Sequence, residues 1–248
     1  MIDFHTHILP GIDDGSKSTD MSLAMLREEA AQGAALVCAT PHFYANRMSV
    51  DGFLGRREAA LEALRRKAPD AGKTLPDIRP GAEVYYFSGI GGAGELSRLT
   101  LKGTNTLLLE MPFVSWDKKV YEDVKELALR RGFTVVLAHV ERYFELQKNG
   151  SVWDEVFSLP VIPQINAEGL LGKKRLLRKD RMKEFCLELA LSAPKLLLGS
   201  DCHNMETRPP NLKAGRDALA DALGSQILKN IDETAQNVTR PVDIDASM

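Results

Sequence analysis

The chain has 248 residues, 44 % apolar and 27 % charged, which suits one large α/β domain with an ordinary solvent-facing surface. A formal charge of −2 and a pI near 6.2 give no basic field for nucleic acid or an anionic membrane, so neither is expected as a partner. Three cysteines (Cys38, Cys186 and Cys202), without paired spacing, exclude a disulfide framework and point to a reducing cytoplasm.

The first apolar run, "MIDF", lacks the basic start and apolar core of a signal peptide, and no later segment reaches the ~18 apolar residues of a membrane span, so no membrane insertion is expected. It leads into "HTH", which spends His5 and His7, two of only five histidines, on alternate positions of a strand. Alternate strand residues share a face and can reach one ion. "PGIDDG" follows with two adjacent aspartates, Asp13 and Asp14, which local sequence does not separate. "STDMSLAMLREEAAQG" reads as a helix capped by Ser18 or Thr19 and ended by Gly33, with Met21, Met25 and Leu26 as its buried stripe.

The second run, "LVCAT" (36–40), precedes His42 in "ATPHF", and a helical pattern covers "VDGFLGRREAALEALRRKA". The third run, "EVYY" (83–86), opens on Glu83, and the fourth, "TLLLE" (106–110), ends on Glu110. "KKVYEDVKELALRRG" then reads as a helix. The fifth run, "TVVLA" (134–138), meets His139 in "AHVERY", and the sixth is "VIPQI" (161–165). The helix "RMKEFCLELALSA" precedes the seventh, "LLLGS" (196–200), which runs into Asp201 and His203 in "GSDCH". "TRPVDIDASM" (239–248) has no periodicity and reads as a frayed tail, leaving residues 1–238 as one domain.

Seven strand-and-helix repeats predict an α/β fold with a parallel sheet wound into a βα barrel. All five histidines and three of the acids then fall at carboxyl ends of strands, the mouth where such barrels build active sites. One histidine there is ordinary; five together with Glu83, Glu110, Asp201 and an aspartate of "IDDG" predict a metal site. Imidazole and carboxylate without thiolate suit manganese, iron, zinc or magnesium. Nine donors exceed the needs of one catalytic zinc, so two or three ions are expected.

Together "MIDFHTHILPGIDDGSK", "ATPHF", "GAEVYY", "LLLEMP", "AHVERY", "QINAEGLLGK" and "GSDCHNMETRPPNL" resemble the bacterial manganese-dependent tyrosine-protein phosphatases of the polymerase-and-histidinol-phosphatase (PHP) superfamily, which are associated with capsule and exopolysaccharide synthesis. The likeness runs from residue 1 to about 213, with the motifs in matching order. It implies a distorted (β/α)7 barrel with three divalent ions, and assigns the loop ligand to Asp14. By motif, His5, His7, Glu83 and Asp201 hold the first ion. Glu83 bridges to a second, shared with Glu110 and His139, and Asp14, His42 and His203 hold the third. Arg142 and Arg208 match the family's phosphate-binding arginines. Val140, Glu168 and Cys202 stand where the family commonly has proline, a small residue and alanine.

The implied reaction is hydrolysis of phosphotyrosine by a metal-bridging hydroxide, on a bacterial autophosphorylating tyrosine kinase that controls polysaccharide assembly. A rival keeps the metals and takes a small phosphate monoester such as histidinol phosphate. A second rival uses Cys202 and Arg208, which have the spacing of cysteine-dependent phosphatases, although "HNMET" lacks the glycines of a phosphate loop and "RPPN" breaks the backbone after it. A third is a barrel whose metals serve only stability or partner binding. The basic run 173–183 reads as a solvated helix face, with docking of an acidic phosphorylated tail as its functional alternative. Tyr143 and Phe43 read as core residues near the mouth, with packing of a substrate phenyl ring as theirs.

Overall fold

The computed structural model describes residues 1–68, 75–148, 150–172 and 180–242. Its strands are β1 (Ile2–Thr6), β2 (Leu36–Ala39), β3 (His42–Phe43), β4 (Asp77–Pro80), β5 (Glu83–Tyr85), β6 (Thr106–Glu110), β7 (Thr134–Leu137), β8 (Ile162–Asn166) and β9 (Leu197–Gly199). Every strand pairing is parallel, in the orders β1-β2-β4 and β3-β5-β6-β7-β8-β9.

The two sheets share staves. The chain of β2 bends at Pro41 and re-forms as β3, and that of β4 bends at Gly81 and re-forms as β5. Gly81 N donates to Ala39 O at 2.8 Å and Glu83 N to Pro41 O at 3.0 Å across the bends. At the other edge, Asp201 N donates to His5 O at 2.8 Å and His7 N to Cys202 O at 3.0 Å, joining the continuation of β9 to β1. Nine strand segments thus make seven staves of a distorted (β/α)7 barrel, as the repeat count predicts.

The helices are α1 (Thr19–Gln32), α2 (Val50–Lys67), α3 (Lys118–Lys125), α4 (Trp153–Ser158), α5 (Ala167–Leu171), α6 (Arg181–Ser192), α7 (Leu212–Leu223) and α8 (Gln226–Thr239). Ser18 caps α1, its hydroxyl accepting from Met21 N, and Gly33 ends it in the left-handed region at φ 92°. Met25 and Leu26 are fully buried and Met21 packs partly against them, which makes the methionine stripe core. Residues 173–179, most of the basic run, lie outside the described residues.

Alternation along the strands splits the core in two. Leu107, Leu109, Val135 and Leu137 pack with the helices, whereas Phe4, Cys38, Leu108, Val136, Ile162 and Leu197 form a second cluster with Ala235 and Val238 of α8. Two further bonds dock α8 at the amino ends of the strands: Thr106 Oγ1 donates to Val238 O at 2.7 Å, and Arg79 donates to Thr239 O. Helix α8 seals this base of the barrel. Its last residue, Thr239, is buried, and residues 243–248, the outer part of the tail, lie outside the described residues. No helix among the described residues is long and apolar enough to cross a membrane.

Candidate metal centre

The opposite rim carries the chemistry. His5 lies within β1 and His7 one residue beyond it. The "IDDG" loop folds back so closely that Ser16 N donates to His7 O at 3.0 Å, and a Cβ on Gly15 would sit 2.2 Å from that same oxygen. Only glycine permits that approach. Gly199 plays the same part on β9, where a Cβ would fall 2.5 Å from His5 Cβ.

Glu83 is the hub. Its Oε2 lies 3.2 Å from His5 Nε2, 3.4 Å from His7 Nε2 and 2.8 Å from His42 Nδ1, and its Oε1 lies 2.8 Å from His139 Nε2. Glu110 stands beside it, 3.6 Å from His139 Nε2 and 3.7 Å from His42 Nδ1. Asp201 Oδ1 lies 3.3 Å from His7 Nε2 and 3.7 Å from His5 Nε2. Asp14 reaches His203 Nε2 at 3.4 Å and His42 Nε2 at 3.5 Å. All nine side chains expected from the sequence therefore meet at one rim. Asp13 takes a different place: its Oδ2 accepts from His7 Nδ1 at 2.7 Å and from His42 N at 3.0 Å.

Among the described residues, three groups bring their donor atoms within 4.8 Å of one another: His5, His7 and Glu83; His42, Glu83 and Glu110; and His7, Asp14, His42 and His203. His42 and His7 thus border more groups than the motif partition gave them. Four buried atoms here, His42 Nδ1, His203 Nε2, Glu83 Oε2 and Glu110 Oε2, have no hydrogen-bond partner. Buried polar atoms left without partners are costly, and a cation between them removes that cost. Nitrogen and carboxylate donors with no thiolate fit hard and borderline divalent ions.

The charges push one another apart. Burial opposes ionisation of Glu83, yet the imidazole of His5, a hydrogen bond from His139 and the nearby imidazole of His42 hold its carboxyl well below the usual range. Burial raises Glu110, and the charge on Glu83 raises it further, to about 7. Burial lowers His139 to about 4, keeping its imidazole neutral, the form that ligates metals.

The second layer orients the first. His5 Nδ1 bonds Gln164 Oε1 at 3.0 Å, and the same oxygen accepts from His139 N at 2.9 Å. Tyr143 Oη accepts from Met111 N and lies 3.0 Å from His139 Nδ1. His203 Nδ1 donates to Asp201 O at 2.9 Å. Such partners fix imidazole tautomer and direction. His139 and Asp201 have φ of 31° and 53°, the only non-glycine residues among those described with positive φ. Left-handed backbone there costs on the order of 1–3 kcal/mol each and aims the side chains inward from the ends of β7 and β9.

Both arginines converge on Asp201 Oδ2, Arg142 Nη2 at 2.7 Å and Arg208 Nη2 at 2.5 Å, and Asn166 Nδ2 donates to the same oxygen at 2.8 Å. They border a recess of about 150 Å³ with Asn166, Asp201 and Glu168. Valine at 140 does not prevent Arg142 from reaching this point. Cys202, by contrast, is fully buried, and its thiol faces Glu29 Oε1 at 3.8 Å rather than Arg208. Burial and then the charge of Glu29 push that thiol well above its ordinary pKa, the opposite of a nucleophilic cysteine. Tyr143 and Phe43 are also buried, the first against His139 and the second against Phe53, so neither packs a substrate ring.

A family model described as capsular polysaccharide synthesis, CpsB/CapC, matches residues 1–240. The chain belongs to the CpsB/CapC family. It is similar to the tyrosine-protein phosphatase CpsB of Streptococcus pneumoniae, 30 % identical over 93 % of this chain and 94 % of that protein. It is likewise similar to the tyrosine-protein phosphatase YwqE of Bacillus subtilis, 28 % identical over 97 % of this chain and 92 % of that protein. A solved chain from the work on YwqE and S. pneumoniae CpsB, described as unique metal-dependent tyrosine phosphatases, superposes with a TM-score of 0.79 at 28 % identity, over 98 % of this chain and 96 % of that one. Membership of the CpsB/CapC family agrees with the resemblance carried by the sequence motifs and their order.

The sequence expectations lack Gln164 and Asn166 and the orienting roles of Asp13 and Tyr143. Gln164 and Asn166 carried a signal: two amides at alternate positions of the otherwise apolar run "VIPQIN", pointing to one face.

Proposed function

We propose that this CpsB/CapC chain is a metal-dependent protein-tyrosine phosphatase. The observation that carries the reading is the convergence of nine nitrogen and oxygen donors, with orphaned buried atoms among them, beside two arginines that share one carboxylate. His5, His7, Glu83 and Asp201 would hold one ion, Glu83, Glu110 and His139 a second, and Asp14, His42 and His203 a third. Divalent ions in such a site supply positive charge and acidify water enough to provide a nucleophile at neutral pH.

The protein's own part is placement and charge. Arg142 and Arg208 are each about one-third exposed, 31 % and 32 %, so their guanidinium groups reach both Asp201 and an incoming phosphate. Their fixed donors bind the non-bridging oxygens and hold the ester in line, which is most of what phosphoryl transfer asks of a protein. Asp201 keeps both arginines at the rim before substrate arrives. A phenolate leaves with a conjugate-acid pKa near 10, so the reaction has less need of a proton donor than with an alkyl ester. Manganese is the proposed native ion. The proposed substrate is the phosphorylated tyrosine-rich tail of a bacterial tyrosine kinase that controls polysaccharide assembly in the cytoplasm.

Elemental analysis together with phosphotyrosine-peptide turnover before and after chelation tests this. Chelation should abolish turnover and added manganese restore it; full turnover by protein stripped of every ion would overturn the reading.

A further inference from the structure

Most aromatic side chains at the rim are buried. Tyr143, Trp116 and Phe43 are at most 3 % exposed. Phe113 is 44 % exposed, three residues beyond Glu110 on the connection from β6 to α3. Its ring stacks beside His139, with centroids 6.1 Å apart and planes inclined at 26°, and rests on Tyr143 at 5.0 Å. The connection is braced. Trp116 Nε1 donates to Pro112 O at 3.1 Å, Val114 N donates to the same carbonyl at 2.8 Å, and Trp116 packs on Tyr143 at 5.6 Å. Across the rim, Tyr44 lies 5.3 Å from His42, but the Arg47 guanidinium already stands 4.4 Å over its ring. No cation stands over Phe113 among the described residues.

We propose that Phe113 is a specificity-determining residue, the surface on which the phenyl ring of the substrate stacks. This rests on the phosphotyrosine reading above. A phosphate anchored among the donors and arginines carries its phenyl ring one ester oxygen away, which places the ring at the rim beside His139. Phe113 presents a pre-set apolar face there, and aromatic pairs prefer the offset or edge-to-face packing that its half-exposed ring allows. A short alkyl ester lacks a ring to use that face. The residue therefore selects aryl over alkyl phosphates through affinity, without touching the phosphorus.

Two non-hydrolysable ligands, phenylphosphonate and methylphosphonate, isolate the ring. Their affinities for manganese-loaded protein are measured by titration calorimetry in the parent, Phe113→Ala and Phe113→Trp, with metal content checked by elemental analysis. The parent should prefer the phenyl compound. Phe113→Ala should cut that preference by about two- to twelvefold at unchanged metal content, and Phe113→Trp should retain it. No preference in the parent, or one untouched by Phe113→Ala, overturns the assignment. Failure of phosphotyrosine-peptide turnover with the ring preference intact would break the functional reading alone.

Discussion

The two ends of the barrel are built from the same strands with opposite chemistry. At the base, Phe4, Leu108, Val136, Ile162 and Leu197 close under α8 as one apolar cluster. Further along the same staves, at the rim, stand Glu110, His139, Gln164 and Asp201, and Glu110 Oε2 has no hydrogen-bond partner. Stability is concentrated where the strands begin, and reactive charge where they end. An α/β barrel tolerates a poorly satisfied rim because its base and flanks supply the folding energy.

The comparison breaks most visibly at Glu83, which touches four of the five histidines. Glu83→Gln should lower kcat/KM by about a thousandfold or more, since several kcal/mol of transition-state stabilisation depend on the metals it holds. Its metal-free melting temperature should fall, because the imidazoles that hold this carboxyl below its usual range lose their charged partner. An unchanged melting temperature would show that the rim carries no stability of its own.

Leu197→Ala probes the other end. It should destabilise the protein by about 2–5 kcal/mol in denaturant titration while leaving kcat/KM per folded molecule within about twofold at low temperature. Gln164→Ala tests the layer between, because Gln164 orients His5 and His139 without being a donor to the cluster. Metal affinity should fall by about ten- to a hundredfold with little change in folding. Cys202→Ser should do least, keeping kcat/KM within about twofold, since the thiol is sealed against Glu29. Complete loss of activity there, with normal metal content, would reinstate cysteine chemistry.

Much of this division is legible in the sequence, because apolar runs of four or five residues mark the staves and five of the seven hand over to a histidine or an acid, with Glu83 opening another. The parts that stay hidden have physical reasons. Strand β4 reads "DIRP", with no apolar run, because Arg79 turns to α8 and Pro80 precedes the bend. Strand β3 is two residues long and owes its existence to pairing with β5. Asp13 and Asp14 are adjacent and chemically identical; only the turn over His7 sends one to orient an imidazole and the other towards His42 and His203. Helix α8 left a clearer trace, with Ile231, Ala235 and Val238 spaced at i, i+4 and i+7, yet its place beneath the barrel is a tertiary fact that periodicity does not encode.

The sealing helix also sets a timetable for synthesis. Phe4 leaves the ribosome well before Ala235 and Val238, which cover its cluster and emerge more than 230 residues later. At elongation rates of about 5–20 residues per second that interval is on the order of ten seconds or more. Throughout it the greasy floor of the unfinished barrel lies open to chaperones and to neighbouring nascent chains.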